Sequence, residues 1–256
     1  MKIGVTAIGY ECVEHMDKVL EPWLDLKYSD NDLDIVIGAS HGVFPETNKL
    51  GYSVYSLDGT IQKLQELNDK KDIDYIHISP VPIYEKDLRN SNVQFLLSQN
   101  IDLLWLLDLQ DEIYTVQQIK EIVRYVESSD KDWFKINFKN YVFNDSTYID
   151  DFVVPRIWKN NVNEGIMGFY YDNDIIYNNQ KPANDLPFEI IPRDIAFIKH
   201  LSWVGSKEYL LRKIEFQKIH YGDCSYSWDN AKNCLLFNEE YYSKFNKDKP
   251  QLFKEN

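Results

Sequence analysis

Short apolar runs alternate with longer amphipathic segments through the first half of the chain, and this alternation constrains the fold more than any other feature. The apolar runs include KIGVTAI, DIVIGAS and DYIHIS, and the segments between them, ECVEHMDKVLEPWLDLK and TIQKLQELNDKK, carry apolar residues at helical spacing. Strands that alternate with helices form βαβ units with parallel strands. The sequence therefore predicts an α/β, Rossmann-like fold with a mostly parallel central sheet flanked by helices.

The pattern changes after residue 131. The stretches WFKINFKNYVF, FVVPRIWKN and EGIMGFYYDNDIIY are typical of strands joined by polar loops, which predicts a mixed-strand second half. SKEYLLRKIEFQKIHYG then predicts a C-terminal helix that Gly222 ends. No Pro/Gly/Ser-rich linker interrupts the sequence, so we expect a single domain over 1–256, with halves 1–130 and 131–256.

Composition and charge narrow the classes of function. The chain has 256 residues, of which 44% are hydrophobic and 14% aromatic, as expected of a packed globular protein. A formal charge of −13 disfavours binding to a nucleic acid backbone, which depends on Lys and Arg. Three unevenly placed cysteines fit a reducing compartment. No apolar run is long enough for a membrane span, so we expect a soluble, cytoplasmic protein.

An acidic cluster follows the most apolar strand. LLWLLDLQDEIYT, residues 103–115, predicts a central strand, and Asp108, Asp111 and Glu112 come where it ends. Thr115 is placed to cap the next helix. Ligands of open parallel sheets bind beyond the carboxyl ends of strands, and carboxylates there can hold Mg²⁺ or Mn²⁺ on a diphosphate. Alternatively, Asp111 and Glu112 only stabilise the start of the following helix, which is the positive end of its dipole.

With these residues in view, the sequence resembles the glycosyltransferases of family two, which have the GT-A nucleotide-sugar-binding fold. LLDLQDEIYT looks like the Asp-x-Asp or Asp-Glu motif that ends a central strand there, although Gln110 departs from strict Asp-x-Asp. The order of elements agrees, as do three further segments: GVTAIGYECVEHMDKVLEPWL, KDLRNSNVQFLL and IPRDIAFIKHLSW. The resemblance covers roughly residues 1–220.

The resemblance implies Mn²⁺ or Mg²⁺ as cofactor, with Asp111, Glu112 and His200 as metal ligands. Asp108 would face the ribose or the outer shell of the metal. A lone histidine is also often a satisfied polar residue, so the role of His200 has a structural alternative.

The resemblance also implies that the first half contacts the nucleotide. The candidate contacts are Ala7, Tyr10, Ser40, Arg89 and Asn90. Ser40 stands where many relatives carry Asp. Tyr10 could instead serve packing, and Arg89 and Asn90 could simply begin a helix.

The second half would hold the acceptor and a carboxylate that removes the proton of its hydroxyl. The candidates are Asp150, Asp151, Glu164, Asp172 and Asp174, of which Glu164 is the first to test. The function implied is a metal-dependent, hexosyltransferase-like glycosyltransferase that moves a sugar from a nucleotide diphosphate sugar to a carbohydrate or other hydroxyl acceptor. The alternative is a noncatalytic carbohydrate- or protein-binding module on a degenerate GT-A scaffold.

Overall fold

The structure is a computed structural model that describes residues 1–160, 165–171, 174–177 and 182–255. Its helices are α1 (Val13–Ser29), α2 (Pro45–Lys49), α3 (Thr60–Asp69), α4 (Glu85–Ser98), α5 (Val116–Ser128), α6 (Lys207–Tyr221) and α7 (Glu239–Lys244), with a short 3₁₀ helix at Ala183–Asp185. Its strands are β1 (Lys2–Gly9), β2 (Asp34–His41), β3 (Tyr75–Ile78), β4 (Leu103–Asp108), β5 (Glu112–Ile113), β6 (Trp133–Val142), β7 (Thr147–Lys159), β8 (Ile166–Tyr171), β9 (Asp174–Tyr177), β10 (Glu189–Ile190), β11 (Ile198–Trp203), β12 (Tyr226–Asp229), β13 (Cys234–Phe237) and β14 (Phe253–Lys254).

The chain divides into two compact units, and the first contains residues 1–138 and 152–198. Its strands lie in the order β3-β2-β1-β4-β7-β6. The first four strands are parallel to their neighbours, whereas β7 runs antiparallel to β4. The α/β class, the mostly parallel sheet and the mixed second half predicted from sequence are confirmed.

β4 is central and covered on both faces, as its apolar sequence predicts. Leu103, Trp105 and Leu107 belong to the core cluster that includes the buried faces of α1, α3 and α5. Leu104 and Leu106 belong to another cluster, which includes residues of α4 and of the β8–β9 hairpin. Successive side chains of a strand point to opposite faces, so both faces of this strand are covered by apolar side chains.

The helix after the acidic turn starts where the sequence predicts. Thr115 caps α5, since its hydroxyl accepts from Gln118 N while the Gln118 side chain accepts from Thr115 N, at 3.1 and 2.9 Å. This capping box satisfies two backbone N–H groups at the helix start. The buried stripe of α5 consists of Ile119, Ile122, Val123 and Val126. The acidic turn is therefore joined to an anchored helix.

The second unit contains residues 139–151 and 199–256. Within it, β14 pairs antiparallel with the start of β7, and β12 and β13 form a hairpin. Ser206 caps α6, and Gly222 ends it in the left-handed conformation at φ 79°, as predicted. Trp203 and Tyr226 lie in its core with ring centroids 4.1 Å apart. None of the described helices combines the length and apolar character of a membrane span.

Candidate functional site

The candidate site lies at the carboxyl edge of the parallel strands in the first unit. The register sets Ile8 of β1 beside Ser40 of β2 on one side and beside Asp108 of β4 on the other. Gly9 lies beside His41 in the same way. The strand order reverses direction at β1, and such a switch point is where open α/β sheets bind ligands.

The three carboxylates of the acidic turn differ in exposure. The Asp108 side chain is 27% exposed, whereas Asp111 and Glu112 are 5% and 0% exposed as residues. The turn closes with Asp111 N donating to Asp108 O at 3.4 Å, and Glu112 then enters the short strand β5. Asp108 is thus the carboxylate of this turn that is open to a ligand.

Two arginines hold Asp108 from different elements. Arg89 of α4 donates through Nη2 to Asp108 Oδ1 at 2.8 Å, and Arg156 of β7 approaches Oδ2 through Nη2 at 3.4 Å. Arg156 Nε also donates to both Glu112 carboxylate oxygens, at 3.0 and 3.1 Å. Arg89 Nε donates to Glu85 Oε1 at 3.0 Å. We call Arg89 and Arg156 the guanidinium clamp.

Charge and burial oppose each other in this cluster. Burial alone raises the pKa of Asp108, but the Arg89 and Arg156 charges outweigh it and bring that pKa below its ordinary value. Burial raises the pKa of Glu112, and the Arg156 charge opposes the rise. Asp111 adds a further carboxylate near Asp108. Asp108 therefore remains ionised at neutral pH.

Arg156 is the site residue that sequence reasoning missed. It is 6% exposed and stands in the apolar strand segment FVVPRIWK. A buried arginine must meet a carboxylate, because an unpaired buried charge is costly. An arginine flanked by apolar residues within a strand is the signal that could have found it, although the sequence does not say which carboxylate it meets.

Ala7 and Ser40, predicted as nucleotide contacts, are both 0% exposed. The Ser40 hydroxyl lies 2.6 Å from both Ser91 Oγ and Asn92 Oδ1, and Asn92 Nδ2 donates to Ala7 O at 3.0 Å. This network fixes α4 against β1 and β2. The structure assigns both residues to internal packing instead of an open ligand surface.

Tyr10 and Glu11 form the turn after β1. Tyr10 OH donates to Ser53 O at 2.7 Å, and its ring lies 5.6 Å from the His41 ring. Glu11 adopts φ 47°, a left-handed conformation that is uncommon outside glycine and often marks functional turns. Tyr10 is half-buried.

The segment 53–60 crosses the start of α1 and occupies its backbone amides. Glu11 N donates to Ser56 Oγ at 2.9 Å, Cys12 N to Thr60 Oγ1 at 2.9 Å and Val13 N to Asp58 Oδ2 at 3.1 Å. Such amides commonly bind phosphate in α/β proteins. Here an anion would have to displace the Asp58 carboxylate.

Arg89 and Asn90 are both engaged within the protein. Arg89 is 1% exposed and belongs to the clamp. Asn90 Nδ2 donates to Phe169 O at 3.0 Å, and Phe169 N donates to Asn90 Oδ1 at 2.7 Å. Asn90 therefore docks the β8–β9 hairpin onto α4 in the manner of a strand pair.

The remaining predicted residues, His200, Asp151 and Glu164, are not among the described residues of the first unit. His200 belongs to the second unit, where its Nδ1 lies 3.0 Å from Asn140 Oδ1. Asp151 lies on β7 in the same unit, and its side chain is outside what the structure describes. Glu164 lies outside the described residues. The roles given to these three stay predictions.

The carboxylates of the acidic turn differ in how well they are placed to bind a metal ion. Among the described residues, no group of three or more His, Cys, Asp or Glu side chains could hold a metal ion. Glu112 is enclosed and bound by Arg156, so it does not fit as a ligand. Asp108 is contacted by Arg89 and Arg156 but keeps exposed surface, and Mg²⁺ commonly takes one or two carboxylates and completes its shell with water and substrate phosphates.

No family model matches the chain, and no similar curated protein was found. A fragment of S. aureus TarS aligns at a TM-score of 0.48 and 11% identity, covering 87% of this chain and 72% of that one. The same fragment in complex with UDP aligns at 0.43 and 11%, covering 62% of this chain and 47% of that one. UDP-glucose phosphorylase from Trypanosoma brucei aligns at 0.33 and 11%, covering 93% and 68%. Likeness at this level assigns no family.

Proposed function

We propose that this protein is a metal-dependent glycosyltransferase that moves a sugar from a nucleotide diphosphate sugar to an acceptor hydroxyl. The observation that carries the proposal is the position of Asp108. It ends the central strand at the switch point of a parallel sheet, it is the open carboxylate of the acidic turn, and two arginines keep it ionised. A nucleotide site is expected at this place in the fold.

Asp108, with Asp111 behind it, would hold Mn²⁺ or Mg²⁺ on the donor diphosphate. The ion would stabilise the charge that develops on the leaving diphosphate.

The nucleoside would lie over the ends of β1 and β2, where Tyr10 would contact the base. The acceptor would bind residues of the second half of the sequence. Glu164 or Asp151 would take the proton of the acceptor hydroxyl if the reaction inverts the anomeric carbon. These assignments follow from the resemblance of the sequence to family-two glycosyltransferases.

A nucleotidyltransferase on a similar sheet is disfavoured. That chemistry commonly uses a glycine-rich, basic loop near the first strand, and the segment AIGYECVEH has no Lys or Arg. The amides at the start of α1 are also occupied by Ser56, Asp58 and Thr60. This loop therefore lacks both the basic side chains and the free backbone amides that commonly bind phosphate.

The second candidate is a noncatalytic carbohydrate- or protein-binding module on the same scaffold. One observation favours it: Asp111 and Glu112 are buried, so the acidic turn offers a metal fewer open carboxylates than its sequence predicts. A module of this kind could keep the fold and lose the reaction.

Donor hydrolysis tests the proposal. The protein is incubated with a panel of nucleotide diphosphate sugars and Mn²⁺, and released nucleoside diphosphate is recorded beside Asp108→Asn and Asp111→Asn. Release with one donor, abolished in Asp108→Asn, supports the transferase. A parallel thermal shift with Mn²⁺ and nucleoside diphosphate reports binding, since a ligand at 100 times its Kd stabilises by about 2.7 kcal/mol. If no donor is hydrolysed and no thermal shift is seen, the binding module is favoured.

A further inference from the structure

Residues 52–58 form a loop between two glycines in the left-handed conformation. Gly51 and Gly59 adopt φ 90° and 97°, and a Cβ built on either glycine would meet no atom within 4 Å. Glycines in open space can take up the backbone rotations of a hinge, because no side chain opposes them. We call residues 52–58 the lid.

The lid is held by polar contacts and adds little apolar surface to the core. Of its residues only Ser56 is buried, whereas Tyr55 and Leu57 are 48% and 83% exposed. No lid side chain belongs to a core cluster of the described residues. Segments with few buried apolar contacts open locally at a free-energy cost below that of global unfolding.

Ser56 ties the lid to the carboxyl ends of two adjacent strands. Its hydroxyl accepts from the backbone N–H of Glu11, shortly after β1, at 2.9 Å. Its own N–H donates to Nε2 of His41, the last residue of β2, at 3.3 Å. The closed lid therefore lies across the edge at which the nucleoside of the proposed function would bind.

The lid also supplies a cap that α1 does not provide for itself. The side chain of Cys12, at the N-cap of α1, makes no capping hydrogen bond. Val13 N donates instead to Asp58 Oδ2 of the lid, and Cys12 N donates to Thr60 Oγ1, outside the lid. Opening at the two hinges would therefore release the amides of Glu11 and Val13 together and leave that of Cys12 bound.

We propose that residues 52–58 are a hinged lid that closes the β1–β2 edge in the free protein and must open before this edge can take a ligand. The opening itself is independent of the proposed function, whereas the identity of the ligand, a nucleoside diphosphate, rests on it. Because the ligand binds only the open state, its apparent Kd is the intrinsic Kd divided by the open fraction. A substitution that weakens the lid therefore tightens binding, and general damage to the fold does not.

Amide hydrogen exchange, measured by NMR on the full chain, follows the opening. We expect the wild-type amides of Glu11 and Val13 to share one protection factor, lower than that of Cys12. Ser56→Ala should lower the protection of Val13, and Asp58→Ala that of Glu11, each by about 2–10-fold, because one lid holds both amides. Effects confined to the amide that each side chain contacts, or wild-type exchange of both amides only through global unfolding, would overturn the proposal.

Asp30→Ala is the matched control for the lid variants. Asp30 Oδ1 accepts from the backbone amides of Asp32 and Leu33 in the turn before β2, so its loss removes similar contacts away from the lid. We expect this variant to keep the wild-type protection of Glu11 and Val13. A reduction equal to that of the lid variants would count against a lid, because exchange would then report a general loss of stability.

Calorimetry with Mn²⁺ and ADP, GDP or UDP links the lid to binding. For a nucleotide that binds, we expect Ser56→Ala and Asp58→Ala to lower the apparent Kd by the same factor by which they lower protection, and Asp30→Ala to leave it unchanged. Unchanged or weaker binding by both lid variants would refute the gating role. If the wild type binds none of the three nucleotides, the proposed function fails, and the exchange result alone decides whether the lid opens.

Discussion

The backbone N–H of Asp108 donates to Glu112 Oε2 at 3.3 Å, so the first and last carboxylates of the acidic turn are tied together. Arg156 contacts both of them. The turn therefore acts as one unit, in which the Glu112 side chain holds the backbone of Asp108 and the Asp108 side chain is partly exposed.

Replacing Asp108 by Asn should remove the charge that faces the ligand while keeping the shape of the side chain. We expect donor turnover to fall on the order of 100-fold or more, because loss of one electrostatic contact at a reacting group typically costs about 10²–10³ in kcat. Asp111→Asn should cost less, since Asp111 is 5% exposed. Steady-state kinetics with the active donor measures both, and equal losses would contradict the ranking.

His41 should make stability depend on pH. It is 0% exposed, its Nε2 lies 2.6 Å from Ser56 Oγ, and burial lowers its pKa from 6.5 to about 4. The unfolded chain therefore binds this proton more tightly than the folded one. The contribution is fully present above pH 6.5 and is lost as pH falls towards 4, by up to roughly 3 kcal/mol.

Urea unfolding of the wild type and His41→Gln at pH 7 and pH 4 measures this dependence. The difference between the two proteins isolates His41 from the many carboxylates that titrate in the same range. Parallel loss of stability in both proteins would show that His41 does not carry the effect.

The core of β4 should be sensitive to truncation. Leu106 is 0% exposed, so Leu106→Ala should lower the free energy of unfolding by about 2–5 kcal/mol through lost burial and a cavity. Leu57→Ala deletes the same atoms from a side chain that is 83% exposed and should change stability by less than about 0.5 kcal/mol. Denaturant titration compares the two, and similar values would contradict the placement of β4.

Asn90 should control how firmly the β8–β9 hairpin is held. Asn90→Ala removes both hydrogen bonds to the Phe169 backbone, so the amide of Phe169 should exchange faster with solvent. Gln94→Ala removes one exposed bond to Met167 O and should have a smaller effect. Hydrogen exchange followed by mass spectrometry distinguishes them, and unchanged protection in Asn90→Ala would argue against the docking role.

Local pattern predicted the elements around the site well. The central strand, the Thr115 cap and the Gly222 stop depend on neighbours within a few residues, and the structure has all three.

The ranking of carboxylates could not be read from the sequence. Which of Asp108, Asp111 and Glu112 is open depends on Arg156, and Arg156 reaches them only because β7 pairs with β4. Likewise, the burial of Arg89 depends on contacts with Asp108 across the fold. Pairings of this kind are set by the tertiary fold and cannot be inferred from residue type and spacing. The division into halves at residue 130 and the roles of Glu164, Asp151 and His200 stay predictions.

The segment 53–60 has a consequence for proteolysis. Leu57 presents 83% of its surface and would attract a protease, yet its neighbours Ser56 and Asp58 bind the amides of Glu11 and Val13. A cut beside Leu57 would therefore loosen the first turn of α1 as well as the segment itself. A protease must pull the segment away from the sheet before it can cut. The peptide bonds beside Leu57 should therefore be cut slowly while Ser56 and Asp58 keep their hydrogen bonds to Glu11 and Val13.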